Sequence, residues 1–298
     1  MDMQRPPLTL NEMLERSGFD LSEVLVFRHR PMEVKLNRIF DSMVSERPDL
    51  FDCYQSSHGP RTEAALTKAK FLASFIRFGS GLALFAGLYQ VNGAKYLSAK
   101  EHRANPLHQE LIDLGMSGDF SSSDRDHVLA FDLSETEWGA DWKGRLIIKW
   151  PRPDRSWYRW ANKNEFEIEA ISIASQFVRE VPAWNEITPT MAELRVLPGR
   201  WLDALRHWRG IYIITDQADH RQYVGSAGGQ ENLLQRWLEY AKSGHGGNKH
   251  LRGRDPSKFR FAILQRLSPD DDQRTVVAAE SSWKERLQTH WPDGLNEN

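Results

Sequence analysis

Two short segments near the C-terminal end place the tightest constraint on this chain. Gly210-Ile211-Tyr212 opens the run Gly-Ile-Tyr-Ile-Ile-Thr, in which β-branched and aromatic residues dominate, and Tyr223-Val224-Gly225 opens a second such run. Between them Asp216-Gln217-Ala218-Asp219-His220 carries turn chemistry. The pattern predicts a β-hairpin with a tyrosine on each strand, then the small-residue loop Ser226-Ala227-Gly228-Gly229, then a helix. Alternation along the first strand sets Ile211, Ile213 and Thr215 on one face and Tyr212 and Ile214 on the other. On their own, two strand tyrosines are more often cross-strand packing than chemistry.

The helices downstream change that weighting. A helix over about 230–242 has Leu233, Leu234, Trp237, Leu238 and Ala241 as its apolar stripe. Arg236 sits at the edge of the stripe, with Tyr240 one turn further on the same flank. A guanidinium there either covers the core edge with its stem or offers its fixed fork to phosphate oxygens. The last helix, about 274–288, has Val276, Val277, Trp283 and Leu287 as its buried stripe, with Glu280 at the centre. A carboxylate there is costly to bury unless it is paired or bound to a metal. One carboxylate completed by water and phosphate oxygens is the donor set of Mg²⁺.

These elements together resemble the GIY-YIG nuclease family over about 205–298. The family's ordered elements correspond here to Gly210-Ile211-Tyr212, Tyr223-Val224-Gly225, Arg236, Glu280 and Asn296. Where the family often has histidine one turn after the arginine, this chain has Tyr240; His245 is the nearest candidate for a second histidine found in some members. The resemblance implies an α/β-sandwich with a small central antiparallel sheet flanked by helices. It also implies a catalytic set of Tyr212, Tyr223, Arg236, Tyr240, Glu280 and Asn296. Glu280 would be the ligand of Mg²⁺ or Mn²⁺. Arg236 would offset charge on the phosphoryl oxygens, Tyr212 would orient or deprotonate the attacking water, Tyr223 would hold water, and Asn296 would brace the site.

The charge distribution suits such a partner only locally. The formal net charge is -2, yet residues 206–298 carry 14 Lys and Arg against 12 Asp and Glu. Within 236–266 eight basic residues face only Glu239 and Asp255. His245, Lys249, His250 and Arg252, in a glycine-rich loop, are the expected contacts to a nucleic-acid backbone, unless the loop is merely solvated. A single cysteine, Cys53, excludes an internal disulfide and suits a reducing cytoplasm. The chain has no run of 18 apolar residues and no apolar signal core, so a soluble cytoplasmic protein without a membrane partner is expected.

The N-terminal part reads as an α+β domain over 1–180, with a mostly antiparallel sheet or small barrel. Helices are expected at 8–17, 33–46 and 62–78, the last closed by Gly79-Ser80-Gly81. A strand at 82–91 meets the hairpin signal Asn92-Gly93, and further strands are expected at 127–133, 145–150, 156–160 and 165–173. Residues 101–126 read as a loop with at most one short helix. The strand pattern resembles a PUA/EVE-type β-barrel, which implies binding of RNA or a modified base. Trp138, Trp142, Trp150, Trp157, Tyr158 and Trp160 crowd one stretch among basic residues. Either they fill a core, or Trp157, Arg159 and Trp160 hold bases and phosphate. Residues 181–198, punctuated by Pro182, Pro189 and Pro198, read as a linker, and 199–208 as a helix that opens the nuclease domain at 199–298.

The expectation is therefore a Mg²⁺-dependent endonuclease of restriction or phage-defence type acting on double-stranded DNA. Its N-terminal domain would choose a sequence or a modified base, and it would work as a homodimer or higher oligomer where both strands are cut. The alternative is a nucleic-acid sensor or RNA-binding protein with a degenerate nuclease domain.

Overall fold

In the computed structural model, which describes residues 7–117, 125–177, 180–228 and 232–297, the chain divides into two units, Met1–Val178 and Arg179–Asn298. Helix and strand occur together in both, as expected for an α+β protein.

The N-terminal unit is organised by a strand that reads as a helix in the sequence. Phe71–Phe78 forms β2, and its residues Leu72 to Ile76 are all buried. A strand covered on both faces has no alternation, so its apolar run is not separable from a buried helix by period alone. The helix expected over 62–78 is in fact α4 (Pro60–Leu66) followed by β2, and Gly79-Ser80-Gly81 turns the chain into β3 (Leu82–Ser98). Asn92-Gly93 does not turn the chain. β3 runs through it with a bulge between Val91 and Gly93, and continues to pair with β4 (His127–Glu135).

Around these strands lie β1 (Val24–His29), β5 (Leu146–Lys149), β6 (Tyr158–Trp160) and β7 (Ile168–Ile171). The seven-stranded sheet among the described residues runs β6-β1-β2-β3-β5-β7, with β4 on the far half of β3. It is mixed: β1 pairs β2 in parallel, the other pairings being antiparallel. Helices α1 (Leu10–Arg16), α2 (Val34–Glu46) and α3 (Pro48–Gln55) come before β2. Two short helices, α5 (Ala99–Ala104) and α6 (Pro106–Asp113), occupy the stretch expected to hold at most one. Trp150 is buried and Trp138 and Trp142 pack on the same core, so these three tryptophans are structural. Trp157 and Trp160 are half-buried.

The C-terminal unit is built on a three-stranded antiparallel sheet, order β10-β8-β9, of β8 (Arg209–Asp216), β9 (Gln222–Ala227) and β10 (Phe259–Leu267). Helix α7 (Gly199–His207) precedes it, α8 (Asn232–Ser243) follows β9, and α9 (Gln273–Arg286) follows β10. Alternation in β8 divides the core as its sequence requires. Tyr212 and Ile214 join Leu233, Leu234, Trp237 and Tyr240 of α8 in one cluster. Ile211, Ile213 and Val224 meet Val276 of α9 in the other. Two stripe assignments fail: Leu238 is 41% exposed and Val277 is 51% exposed. Both sit beside a buried neighbour, on the flank of a stripe narrower than their apolarity suggests.

Residues 181–198, expected to be a linker, are instead part of this unit. Ile187, Met191, Leu194 and Leu197 are buried in the Tyr212 cluster. Residues 189–191 also lie along the outer edge of β10, where Met191 N–H donates to Phe259 O (3.0 Å) and Phe261 N–H to Pro189 O (2.8 Å). The prolines mark an irregular strap rather than a free connection. The loop residue Gly229 falls outside the described residues.

Candidate active site

Hairpin and helix meet at the tyrosines. β8 and β9 pair Tyr212 with Gly225 and Ile214 with Tyr223, which puts both tyrosines on the face that α8 covers. The glycines of the two tripeptides are there for close approach. A Cβ on Gly225 would lie 2.5 Å from the Tyr212 hydroxyl, and one on Gly210 would lie 2.4 Å from Gln265 O of β10. Only glycine lets the tyrosine cross its partner strand and lets β10 close on β8.

Tyr212 is fully buried, and its hydroxyl is 3.0 Å from that of Tyr240. Arg236, on the α8 turn before Tyr240, donates from Nε to the Tyr212 hydroxyl at 3.2 Å. Its guanidinium also lies 5.4 Å from the centre of the Tyr240 ring. Its Nη1 donates to Glu239 Oε2 at 2.8 Å. The Tyr223 ring, half-buried, stands 6.2 Å from that of Tyr240. Three phenols and one guanidinium are thus brought together on one face, the cation one-third exposed.

Burial pushes the Tyr212 phenol above its ordinary pKa; Tyr223 adds to this, and Arg236 offsets it only in part. Tyr240 is raised for the same reasons, burial first, with Tyr212 and Tyr223 reinforcing it. Both phenols are therefore protonated at neutral pH.

Asn296 is buried beside the second tripeptide. Its Oδ1 accepts from Val224 N–H at 2.9 Å and its Nδ2 donates to Val224 O at 2.7 Å. Leu295 N–H donates to Gln222 O at 2.9 Å. Residues 295–296 therefore complete the open side of β9, and Asn296 braces the strand that carries Tyr223.

Set against this geometry, the deciding comparison is short. Residues 209–295 match the family model of the GIY-YIG catalytic domain. The match supports a nuclease function for this unit, hydrolysis of phosphodiester bonds, in agreement with the resemblance in the sequence. Comparison with curated proteins and with solved structures returned no match, and nothing supports the PUA/EVE-type likeness of the N-terminal unit.

Within the matched residues, Glu280 is not the unpaired buried acid that its stripe suggests. It is ion-paired to Lys284 at 2.5 Å, one helical turn on, and both side chains are 20% exposed. Its helix packs on the Ile211 face of the sheet. The described residues hold no group of three or more His, Cys, Asp or Glu able to cage a metal. One partly exposed carboxylate fits a hydrated Mg²⁺ that takes its other ligands from water and phosphate, and does not fit an all-protein cage.

The expected backbone contacts scatter. His245 caps its own loop, its Nδ1 accepting from Gly247 N–H at 2.9 Å. Lys249 and His250 lie 3.2 and 3.7 Å from Glu297, and Arg252 is exposed. Arg254 is spent on Asp216 and Asp219. In the N-terminal unit Arg159 donates to Asn164 Oδ1 and Pro153 O, and Trp157 packs 4.7 Å from Phe27. No helix among the described residues is long and apolar enough to cross a membrane. Sequence reasoning missed Lys284, although its i, i+4 spacing from Glu280 allows the pair, and it missed Trp291.

Proposed function

We propose that the protein is a Mg²⁺-dependent DNA endonuclease of restriction or phage-defence type, working in the cytoplasm, whose N-terminal unit selects a sequence or a modified base. The observation that carries the reading is the Arg236–Tyr212–Tyr240 cluster inside a GIY-YIG domain. Arg236 neutralises charge building on the phosphoryl oxygens; its fork is held in place from beneath by Tyr212. Tyr212, kept protonated by burial, orients rather than deprotonates, and relays its orientation through Tyr240. Tyr223, the less buried strand tyrosine, is the phenol placed to meet the attacking water. Glu280 would hold the hydrated cation in place of its pair with Lys284, and Mg²⁺, when bound, would supply Lewis-acid stabilisation of the scissile phosphate and leaving oxygen. The half-buried Trp157 and Trp160, with Arg159, are the N-terminal residues offered to the DNA.

The test is nicking of supercoiled plasmid by the full chain with and without Mg²⁺, followed by digestion of unmodified and cytosine-modified phage DNA. Cleavage should require Mg²⁺ or Mn²⁺, and Glu280→Ala should abolish it while leaving the melting temperature unchanged. Full activity of Glu280→Ala would sink the assignment. Tight binding to DNA with no cleavage of any of these substrates would favour the degenerate-domain alternative.

A further inference from the structure

The turn of the hairpin and the chain after α9 form a cavity of about 370 Å³, lined by Asp219, Arg221, Gln222, Gln288, Thr289 and Asp293 with three neighbours, His220, Leu287 and Gly294. That is within the range of small-ligand sites, roughly 300–1,000 Å³. Its polar side chains are carboxylates, amides, a guanidinium, an imidazole and a hydroxyl, beside the apolar Leu287. Thr289 is 1% exposed and its Oγ1 has no hydrogen-bond partner; nor has the buried Nδ1 of the next residue, His290. Unpaired buried polar atoms are costly, and a polar ligand relieves that cost.

Next to the cavity stands Trp291, half-exposed at 50%. His250 stacks on it, ring planes 10° apart and centres 4.5 Å apart. Arg221, which also lines the cavity, places its guanidinium 5.4 Å from the indole. An exposed indole already braced by a parallel ring is a platform for a further planar group.

Both features are registered on the catalytic strand. Gln222 is the residue before Tyr223, and its carbonyl accepts from Leu295 N–H. Trp291 N–H donates to Asn296 O at 2.8 Å, and Asn296 N–H to Thr289 O at 2.8 Å. The lining of the cavity is therefore tied through the backbone to the strand that carries Tyr223.

We propose that the cavity and Trp291 form a nucleotide subsite, in which the indole stacks on a base of the substrate strand and the cavity side chains read that base's edge. The inference rests on the nuclease reading and adds to it a source of sequence preference inside the nuclease unit itself. Asp293 repels a phosphate and Asp219, paired with Arg254 and Arg221, adds no net positive charge to attract one, so the cavity suits a base edge. Carboxylates accept from the cytosine amino group, and glutamine amides pair two-fold with adenine. Arg221, 3.7 Å from Asp219 and over the indole, can turn its remaining donors to the flanking phosphate.

The test uses the full chain. With Glu280→Ala present to stop cleavage, binding of a fluorescent DNA oligonucleotide should weaken about tenfold on Trp291→Ala, the usual scale of one lost base–aromatic stack. Trp291→Phe should restore binding, since a phenyl ring still stacks. In the cleavage-competent chain, sequenced fragment ends should show a base preference at one position beside the cut, relaxed by Gln222→Ala or Gln288→Ala. Unchanged affinity for Trp291→Ala, or fragment ends identical to those of the parent, would overturn the subsite. Trp291-dependent binding by a chain that cuts nothing would remove the nuclease reading and leave the subsite standing.

Discussion

Asn296→Ala isolates the brace on the second tripeptide. The side chain closes two hydrogen bonds, both to Val224, whose own side chain is fully buried. Val224 faces β8 across the Ile213 pair, and its N–H and C=O point to the outer side of β9, where, among the described residues, the Asn296 side chain meets both. Alanine leaves both groups unpaired. Each orphaned buried group costs roughly 1–3 kcal/mol, so the variant should lose about 2–6 kcal/mol of local stability. For a unit worth about 5–15 kcal/mol in total, that opens β9 without unfolding everything. Hydrogen exchange of the full chain measures it directly: amides of 222–227 should exchange at least ~30-fold faster, since each 1.4 kcal/mol is a factor of ten. Peptides from the N-terminal sheet serve as the internal control and should not change. Asn296→Asp keeps the acceptor for Val224 N–H but sets an oxygen against Val224 O, so it should be almost as damaging. Exchange of 222–227 within threefold of the parent, in a well-folded Asn296→Ala, would refute the bracing argument.

Three further outcomes follow from the same geometry. Lys284→Ala frees the Glu280 carboxylate, so the Mg²⁺ concentration for half-maximal nicking should fall, while stability changes by about 1 kcal/mol or less, as for other partly exposed pairs; an unchanged Mg²⁺ titration would count against Glu280 as the ligand. Gly225→Ala drives a methyl to within 2.5 Å of the Tyr212 hydroxyl, and overpacking of this kind costs about 1–3 kcal/mol, so thermal melts should shift down and nicking should slow as Tyr212 leaves Arg236. Tyr212 and Tyr240 have raised pKa values in the folded chain, so their contribution is intact below pH 10, where the unfolded chain also keeps its phenols protonated. It is lost as the pH climbs from about 10, by up to ~1.4 kcal/mol per pH unit for each phenol, and Tyr240→Phe should flatten that alkaline loss in chemical denaturation.

What could be read in the sequence was what a short period encodes. The hairpin, the opposed faces of Ile211 and Tyr212, and Arg236 at a stripe's edge all follow from spacings of two or four residues, and the structure keeps them. Phe71–Phe78 was misread because a strand buried on both faces has no period to show. Asn92-Gly93 carries the strongest local turn signal in the N-terminal half, yet the pairing of β3 with β4 holds the chain straight and turns the signal into a bulge. Glu280 was placed correctly on its helix, but whether it is paired depends on the rotamer of Lys284, which spacing permits and does not dictate. Asn296 was legible only through the family resemblance: that one amide can stand in for a neighbouring strand is a three-dimensional fact. The platform at Trp291 gave no sign at all, since a lone tryptophan in a polar tail has no period.

The straps along the central sheet bear on how two copies could cooperate. Residues 189–191 occupy the free side of β10 at Phe259 and Phe261, and residues 295–296 that of β9 at Gln222 and Val224, so in these stretches the margins of the three-stranded sheet offer no bare row of amides and carbonyls. Joining two nuclease units into one continuous sheet would first require peeling away a strap, and on the β9 side the brace on Tyr223 would go with it. Paired subunits that keep both straps would meet through other surfaces, such as helix faces or loops. In this fold, self-association through strand addition and an intact catalytic strand exclude one another at the β9 margin.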